Sequence, residues 1–70
     1  MRINYDPEAN ALYIRFKEDK IEESEEIKEG IIVDYDVNNN PVAIEFLNAS
    51  RILTDNPEVR IELPKAKVAI

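Results

Sequence analysis

Cysteine, histidine and tryptophan are missing from this 70-residue chain, and glycine occurs once. Without cysteine there are no disulfides and no thiolate metal sites. Without histidine the usual general base and the usual zinc ligand are gone. A Ser-His-Asp nucleophile therefore cannot be built around Ser24 or Ser50. A single glycine cannot make a glycine-rich phosphate loop. Aliphatic runs never exceed three residues, as in Ile31-Ile32-Val33. A membrane span needs about 20 apolar residues, and a signal peptide about 7 to 15 after a basic start. Neither pattern is found, so the expected location is the cytoplasm, away from membranes.

The chain carries 15 acidic and 9 basic side chains, a net charge of −6. Such a surface repels phosphate backbones, so direct nucleic-acid binding is not expected. The acid is concentrated. Residues 18–29 hold seven carboxylates and two lysines, which leaves the rest nearly balanced. An acidic run of this kind serves as a solvated edge that discourages strand pairing. It also suits a basic protein partner, for which Glu22, Glu23, Glu25 and Glu26 are the candidate contacts.

Isoleucine and valine supply 15 of the 31 apolar residues. Branching at Cβ suits a pleated surface better than a helix. Arg2–Tyr5 alternates, and so does Ala11–Lys17, with Leu12, Ile14 and Phe16 on one side. Between them Asp6 can cap a single turn, with Pro7 in the first turn position. Ile21–Ile27 is a weaker strand. At Lys28-Glu29-Gly30, a three-residue loop pairs Ile27 with Ile31. A two-residue loop sets Glu25 against Asp34, which like charges disfavour. Ile31–Val37 and Pro41–Leu47 form the clearest hairpin. A type I′ turn at Asn38-Asn39 pairs Tyr35 with Val42, Val33 with Ile44 and Ile31 with Phe46. The expected core is Ile3, Leu12, Ile14, Phe16, Val33, Ile44 and Phe46, with Glu22, Glu26, Asp34 and Asp36 exposed. Residues 48–54 allow a short helix with Asn48 as cap and Ile52-Leu53 under the sheet. Val59–Leu63 alternates again.

These pieces predict one small domain, 1–70, mainly β (α+β): an antiparallel meander of about five strands, one short helix and a strand-like tail. So short a chain buries only about 60% of its unfolded surface, and two helical turns cannot cover a five-stranded face. A homo-oligomer, most simply a dimer, is expected, with Val59, Ile61 and Leu63 as candidate interface residues.

Three segments resemble a known family. They are Tyr5-Asp6-Pro7-Glu8-Ala9-Asn10-Ala11-Leu12-Tyr13-Ile14, then Glu22–Ile27 with Gly30–Asp36, then Val42–Ser50. Together they resemble domain of unknown function 2283, small prokaryotic proteins also described as YuzE-like, over roughly residues 1–53. Residues 54–70 form an extension outside that pattern. The sequence departs from the pattern at Asn38-Asn39, usually an Asp-Gly-like turn, and at Asn48, often Asp. No activity is established for the family, so the resemblance brings no catalytic residues. Some members are encoded next to small toxin-like ribonucleases, which implies an antitoxin-like role.

Asp34, Asp36 and Glu45 fall opposite the apolar side of the central hairpin, where three carboxylates can hold a hard cation or work as an acid/base pair. Ile32 and Ala43 give them little polar support, and no glycine-bearing metal loop accompanies them. No metal, cofactor or catalytic residue is therefore expected, and the chain does not read as an enzyme. The expected function is a non-enzymatic protein-interaction module, in an antitoxin-like pairing with a small basic toxin. The alternative is a self-associating structural or small-ligand-binding protein.

Overall fold

The computed structural model describes residues 1–62. Five strands make one sheet: β1 (Arg2–Asp6), β2 (Ala11–Arg15), β3 (Glu23–Lys28), β4 (Ile31–Tyr35) and β5 (Pro41–Leu47). Every pairing is antiparallel, and the chain is mainly β as its composition predicts. The strands do not lie in sequence order, however. The order across the sheet is β1-β2-β5-β4-β3. A meander would put β3 beside β2. Instead residues 16–22 cross the ends of β5 and β4, and β5 returns to pair with β2. The apolar pattern explains this order. Leu12 and Ile14 lie opposite Phe46 and Ile44, so β5 gives β2 an apolar neighbour that the glutamate-rich β3 cannot.

The hairpins follow the expected registers with two local insertions. Val33 pairs with Ile44 and Ile31 with Phe46, as the alternation predicts, but Tyr35 lies opposite Pro41 rather than Val42. Val42 is the extra residue of a bulge and is fully buried. The turn is correspondingly wider than type I′. The Asp36 and Asn40 backbones are hydrogen-bonded, and Asn39 alone takes a positive φ, 65°. In the β3–β4 hairpin Glu25 faces Val33 and Glu23 faces Tyr35, while Lys28 lies opposite Ile31. A shift between Glu26 and Lys28 keeps the charge-avoiding register and still allows a tight turn. Gly30, at φ 83°, takes the left-handed position there.

The expected helix is a single 3-10 turn, Ala49–Arg51. Asn48 sits before it at φ 55° and makes no side-chain cap. Ile52 is exposed and Leu53 half-buried, so they do not form a second layer. Val59 and Ile61 belong to no strand, and Leu63 lies outside the described residues. Among the described residues, no helix is long and apolar enough to cross a membrane.

The core differs from expectation in a consistent way. The buried residues are Ala11, Val33, Val42, Ala43 and Ala49. Of the expected core only Val33 is buried. Leu12, Ile14, Ile44 and Phe46 are half-buried, while Ile3 and Phe16 are each 41% exposed. These side chains do share one face, but among the described residues no full layer packs across it; residues 53–59 only wall a depression over part of β1 and β2. Asp34 and Asp36 are half-buried rather than exposed, because Ser24 and the β4–β5 turn engage them.

Candidate functional site

Three polar clusters and one apolar surface are candidates for function. The first cluster is the acidic run, which the fold divides in two. Glu18 and Asp19 belong to the crossover. Arg2 donates to Glu18 at 3.0 Å, and Lys17 lies 3.2 Å from Asp19. The other half lies at the sheet edge. Glu22, Glu23, Glu25 and Glu26 are all exposed, on β3 or just before it. Among the described residues β3 has a neighbour on one side only, which leaves its other side as an open strand edge there. Glu23 and Glu25 sit on the apolar face, opposite Tyr35 and Val33. Glu26 is on the reverse face, where it accepts a hydrogen bond from the Gly30 N–H at 3.0 Å.

The second cluster pins the crossover. The half-buried Arg15 donates from Nε to the Lys17 carbonyl at 3.0 Å and from Nη2 to the Asp19 carbonyl at 2.6 Å. Its Nη1 donates to the Tyr13 hydroxyl at 3.2 Å. Asp36 ties the β4–β5 turn to the same segment. Its Oδ1 accepts from the N–H groups of Asn38 (2.9 Å) and Asn40 (2.8 Å), and its Oδ2 from Lys17 Nζ (3.2 Å). The Asn40 N–H is the main cause that holds the Asp36 carboxyl below its ordinary value of 3.8, with Lys17 and the Asn38 N–H adding to it against partial desolvation. Asp36 and Asp19 in turn raise Lys17 above its ordinary 10.5.

The third cluster joins the first and last parts of the signature. Asn10, at φ 53°, takes a left-handed conformation that asparagine tolerates better than most residues. Its Oδ1 accepts from the Tyr5 hydroxyl and from the Ser50 N–H, both at 3.0 Å. Its Nδ2 donates to Ser50 Oγ at 3.0 Å, and its carbonyl accepts from the Ala49 N–H at 2.9 Å. Asp6 closes the preceding turn, as its sequence position predicts, by accepting from the N–H groups of Glu8 and Ala9.

The carboxylates considered for a cation or for acid/base work do not converge. Asp34 accepts from Ser24 Oγ at 2.6 Å, Asp36 is held in its turn, and Glu45 faces Tyr13 and Ile32 across the sheet. Among the described residues, no three Asp or Glu side chains are placed to share a metal ion. The remaining surface is apolar. Ile3, Tyr5, Leu12 and Ile14 floor a depression of about 810 Å³, walled by residues that include Leu53, Asp55, Glu58 and Val59. Val59 and Ile61, expected at an oligomer interface, are 66% and 62% exposed. Arg15, Lys17 and Asn10 had no assigned role in the sequence. Lys17 becomes meaningful only once the fold brings Asp36 beside it, and Arg15 only once the crossover turns the Lys17 and Asp19 carbonyls toward it. Asn10 carried the one local signal, an asparagine at the end of a turn.

The architecture is that of a small single-sheet β protein whose polar clusters hold the fold together. The chain matches the model of the family described as "Protein of unknown function (DUF2283)" over residues 2–50, and it belongs to that family. No curated protein and no solved structure matches it significantly.

Proposed function

We propose that this protein is a non-enzymatic interaction module that binds a basic protein partner, in an antitoxin-like pairing, in the cytoplasm. The observation that carries the reading is the open edge of β3, where Glu22, Glu23, Glu25 and Glu26 are all exposed. Exposed ion pairs contribute only about 0.2 to 1 kcal/mol each. Their larger effect is on the rate and selectivity of encounter, which a net charge of −6 reinforces. Against catalysis stand the missing histidine and cysteine and the engagement of Asp34 and Asp36 in structural hydrogen bonds.

Coexpression with the product of the neighbouring gene tests the reading. The pair should copurify and weaken as salt is raised. Replacing the four glutamates by glutamine should lower affinity at least tenfold. Undiminished binding by that variant refutes the acidic edge as the contact. A second reading, a small apolar ligand, is favoured by the depression above Leu12 and Ile14. A ligand-induced rise in melting temperature that Leu12→Ala abolishes would support it.

A further inference from the structure

We infer that the depression between the β3–β4 turn and the 3-10 turn binds a small organic monocarboxylate with an apolar body. It shares no lining residue with the depression over Leu12 and Ile14, and it stands independently of the acidic edge. Its volume is about 310 Å³, at the lower end of the range for ligand pockets. Ile31, Phe46, Leu47 and Ile52 supply the apolar lining, and Lys28, Asn48 and Arg51 bring polar groups to it. Ile31 and Phe46 lie opposite each other on β4 and β5, so strand pairing holds the floor in place. The 3-10 turn that carries Arg51 is tied to Asn10 through the Ala49 and Ser50 N–H groups.

The bulge in β3 puts a cation beside this apolar floor. With Glu26 opposite Ile32, an unbroken ladder would set Ile27 opposite Ile31 and extend the apolar face. The register shift sets Lys28 there instead and leaves Ile27 52% exposed. The turn alone does not demand this exchange. A three-residue loop at Lys28-Glu29-Gly30 would keep the isoleucine pair and avoid the same like charges. Bulges re-aim side chains and are over-represented beside active sites. Here the re-aimed side chain is an ammonium brought to a hollow that already holds a guanidinium.

Charge sets the class of ligand. Arg2, Arg15, Lys17 and Arg60 each pair with a carboxylate. Lys28 and Arg51 have no such partner among the described residues, although the chain as a whole carries a net charge of −6. Asn48 makes no side-chain cap, which leaves its amide free to donate. A long cationic stem lying over apolar surface is ordinary; two unpaired cations and an amide around one hollow suit a bound anion. Glu29 lines the same hollow. Its carboxylate cancels one of the two positive charges, so a monoanion is matched and a dianionic phosphate is not. The Arg51 fork can take both oxygens of a carboxylate. Ion pairs this exposed are weak, so the apolar body supplies the hold and the head group the selection.

Titration of the isotope-labelled full chain with phenylpropionate, followed by backbone amide shifts, tests this. For a ligand of this size the dissociation constant should lie near about 1 mM. The largest shifts should fall at Lys28, Gly30, Ile31, Leu47 and Arg51. Phenylpropionamide keeps the body and loses the charge, and it should bind at least about threefold more weakly. Inorganic phosphate lacks the body and should stay far from saturation at about 10 mM. Lys28→Gln with Arg51→Gln should weaken phenylpropionate binding at least about threefold while the rest of the spectrum is unchanged. Glu29→Gln should tighten it. No saturable shift by about 10 mM overturns the inference. So do shifts centred on Leu12 and Ile14, equal binding of the amide or of phosphate, or unchanged affinity in the double variant. The first two comparisons use the unaltered chain, so they decide the matter even if a variant fails to fold.

Discussion

Asn10 is the residue whose replacement tests most directly whether the family signature serves structure or function. Its side chain makes three hydrogen bonds, to Tyr5, to the Ser50 backbone and to Ser50 Oγ, all at 3.0 Å. Solvent reaches each of them, so the lower half of the usual range applies, about 0.7 kcal/mol apiece and about 2 kcal/mol together. Asn10→Ala also places a Cβ without local hydrogen-bonding help at φ 53°, which costs about 1 kcal/mol more. The total is near 3 kcal/mol. Asn10→Gly avoids that strain but loosens the unfolded chain by about 0.5 kcal/mol, for a total near 2.5. Asn10→Asp keeps both bonds to Oδ1 and lets the Ser50 hydroxyl donate to the other oxygen, so it should cost under about 1 kcal/mol. Urea unfolding at one fixed protein concentration, followed by tyrosine fluorescence, measures the series. For a domain of this size about 1 kcal/mol moves the melting midpoint by roughly 4 to 8 °C, so alanine should lower it by more than 10 °C. The expected order of damage is Asp, then Gly, then Ala. If alanine costs less than about 1 kcal/mol, the cluster does not hold the fold, and Asn10 and Ser50 become candidates for binding.

Three further outcomes follow from the other clusters. Arg15→Met should cost about 2 kcal/mol, because the Lys17 and Asp19 carbonyls lose a charged donor. Hydrogen exchange should then quicken at Phe16 and Glu22, whose N–H groups pair with the Val42 and Tyr35 carbonyls at the crossover's two ends; unchanged exchange there removes Arg15 as the clamp. Asp36 has a folded pKa below its ordinary 3.8, so its contribution is present above that pH and is lost as pH falls through the lower folded value. The stability gap between the native chain and Asp36→Asn should therefore close in acid below pH 3.8, and a gap that widens there contradicts the assigned hydrogen bonds. Lys17, raised above 10.5, contributes below that pH, and its share disappears as pH rises through the higher folded value. Phe46→Ala should cost about 1.5 to 2.5 kcal/mol in dilute solution, half of what a fully buried phenylalanine loses. The cost should grow with protein concentration if a second copy covers the face; a cost independent of concentration counts against that cover.

Strand positions were legible because alternation and turn residues agree within each hairpin. Val33 opposite Ile44 and Ile31 opposite Phe46 follow from the sequence, since a one-residue slip would reverse the faces. The strand order was not legible, because alternation says which side a residue faces and nothing about which strand lies beside it. The cue was present only as a contrast in composition. β3 carries glutamates on both faces, while β5 is apolar on the side that meets Leu12 and Ile14. The bulge at Val42 escaped for a related reason. Asp36 accepts two backbone N–H groups and thereby widens the turn, a side-chain effect that turn statistics for Asn-Asn pairs do not include. The short helix failed because Asn48 takes a positive φ instead of capping, which leaves only one turn anchored to Asn10 through Ala49 and Ser50. The acidic edge was visible in the sequence as composition, but its division between a crossover network and an open strand was not.

The signature residues are largely occupied. Tyr5, Asp6, Asn10 and Ser50 bond to one another or to the backbone that joins β1 to β2 and β5 to its 3-10 turn. Function has to be sought on those signature residues that no structural hydrogen bond engages. Two such sets remain, the acidic edge and the apolar face, and they are physically linked. If a second copy covers the apolar face, folding and association become parts of one equilibrium. An edge that recruits a basic partner would then be displayed in register with its twin on the covered sheet, and the two carboxylate sets would act at a shared effective concentration rather than singly. Dilution would weaken both functions together: the uncovered chain would lose stability, and the partner would lose the paired acidic surface that holds it.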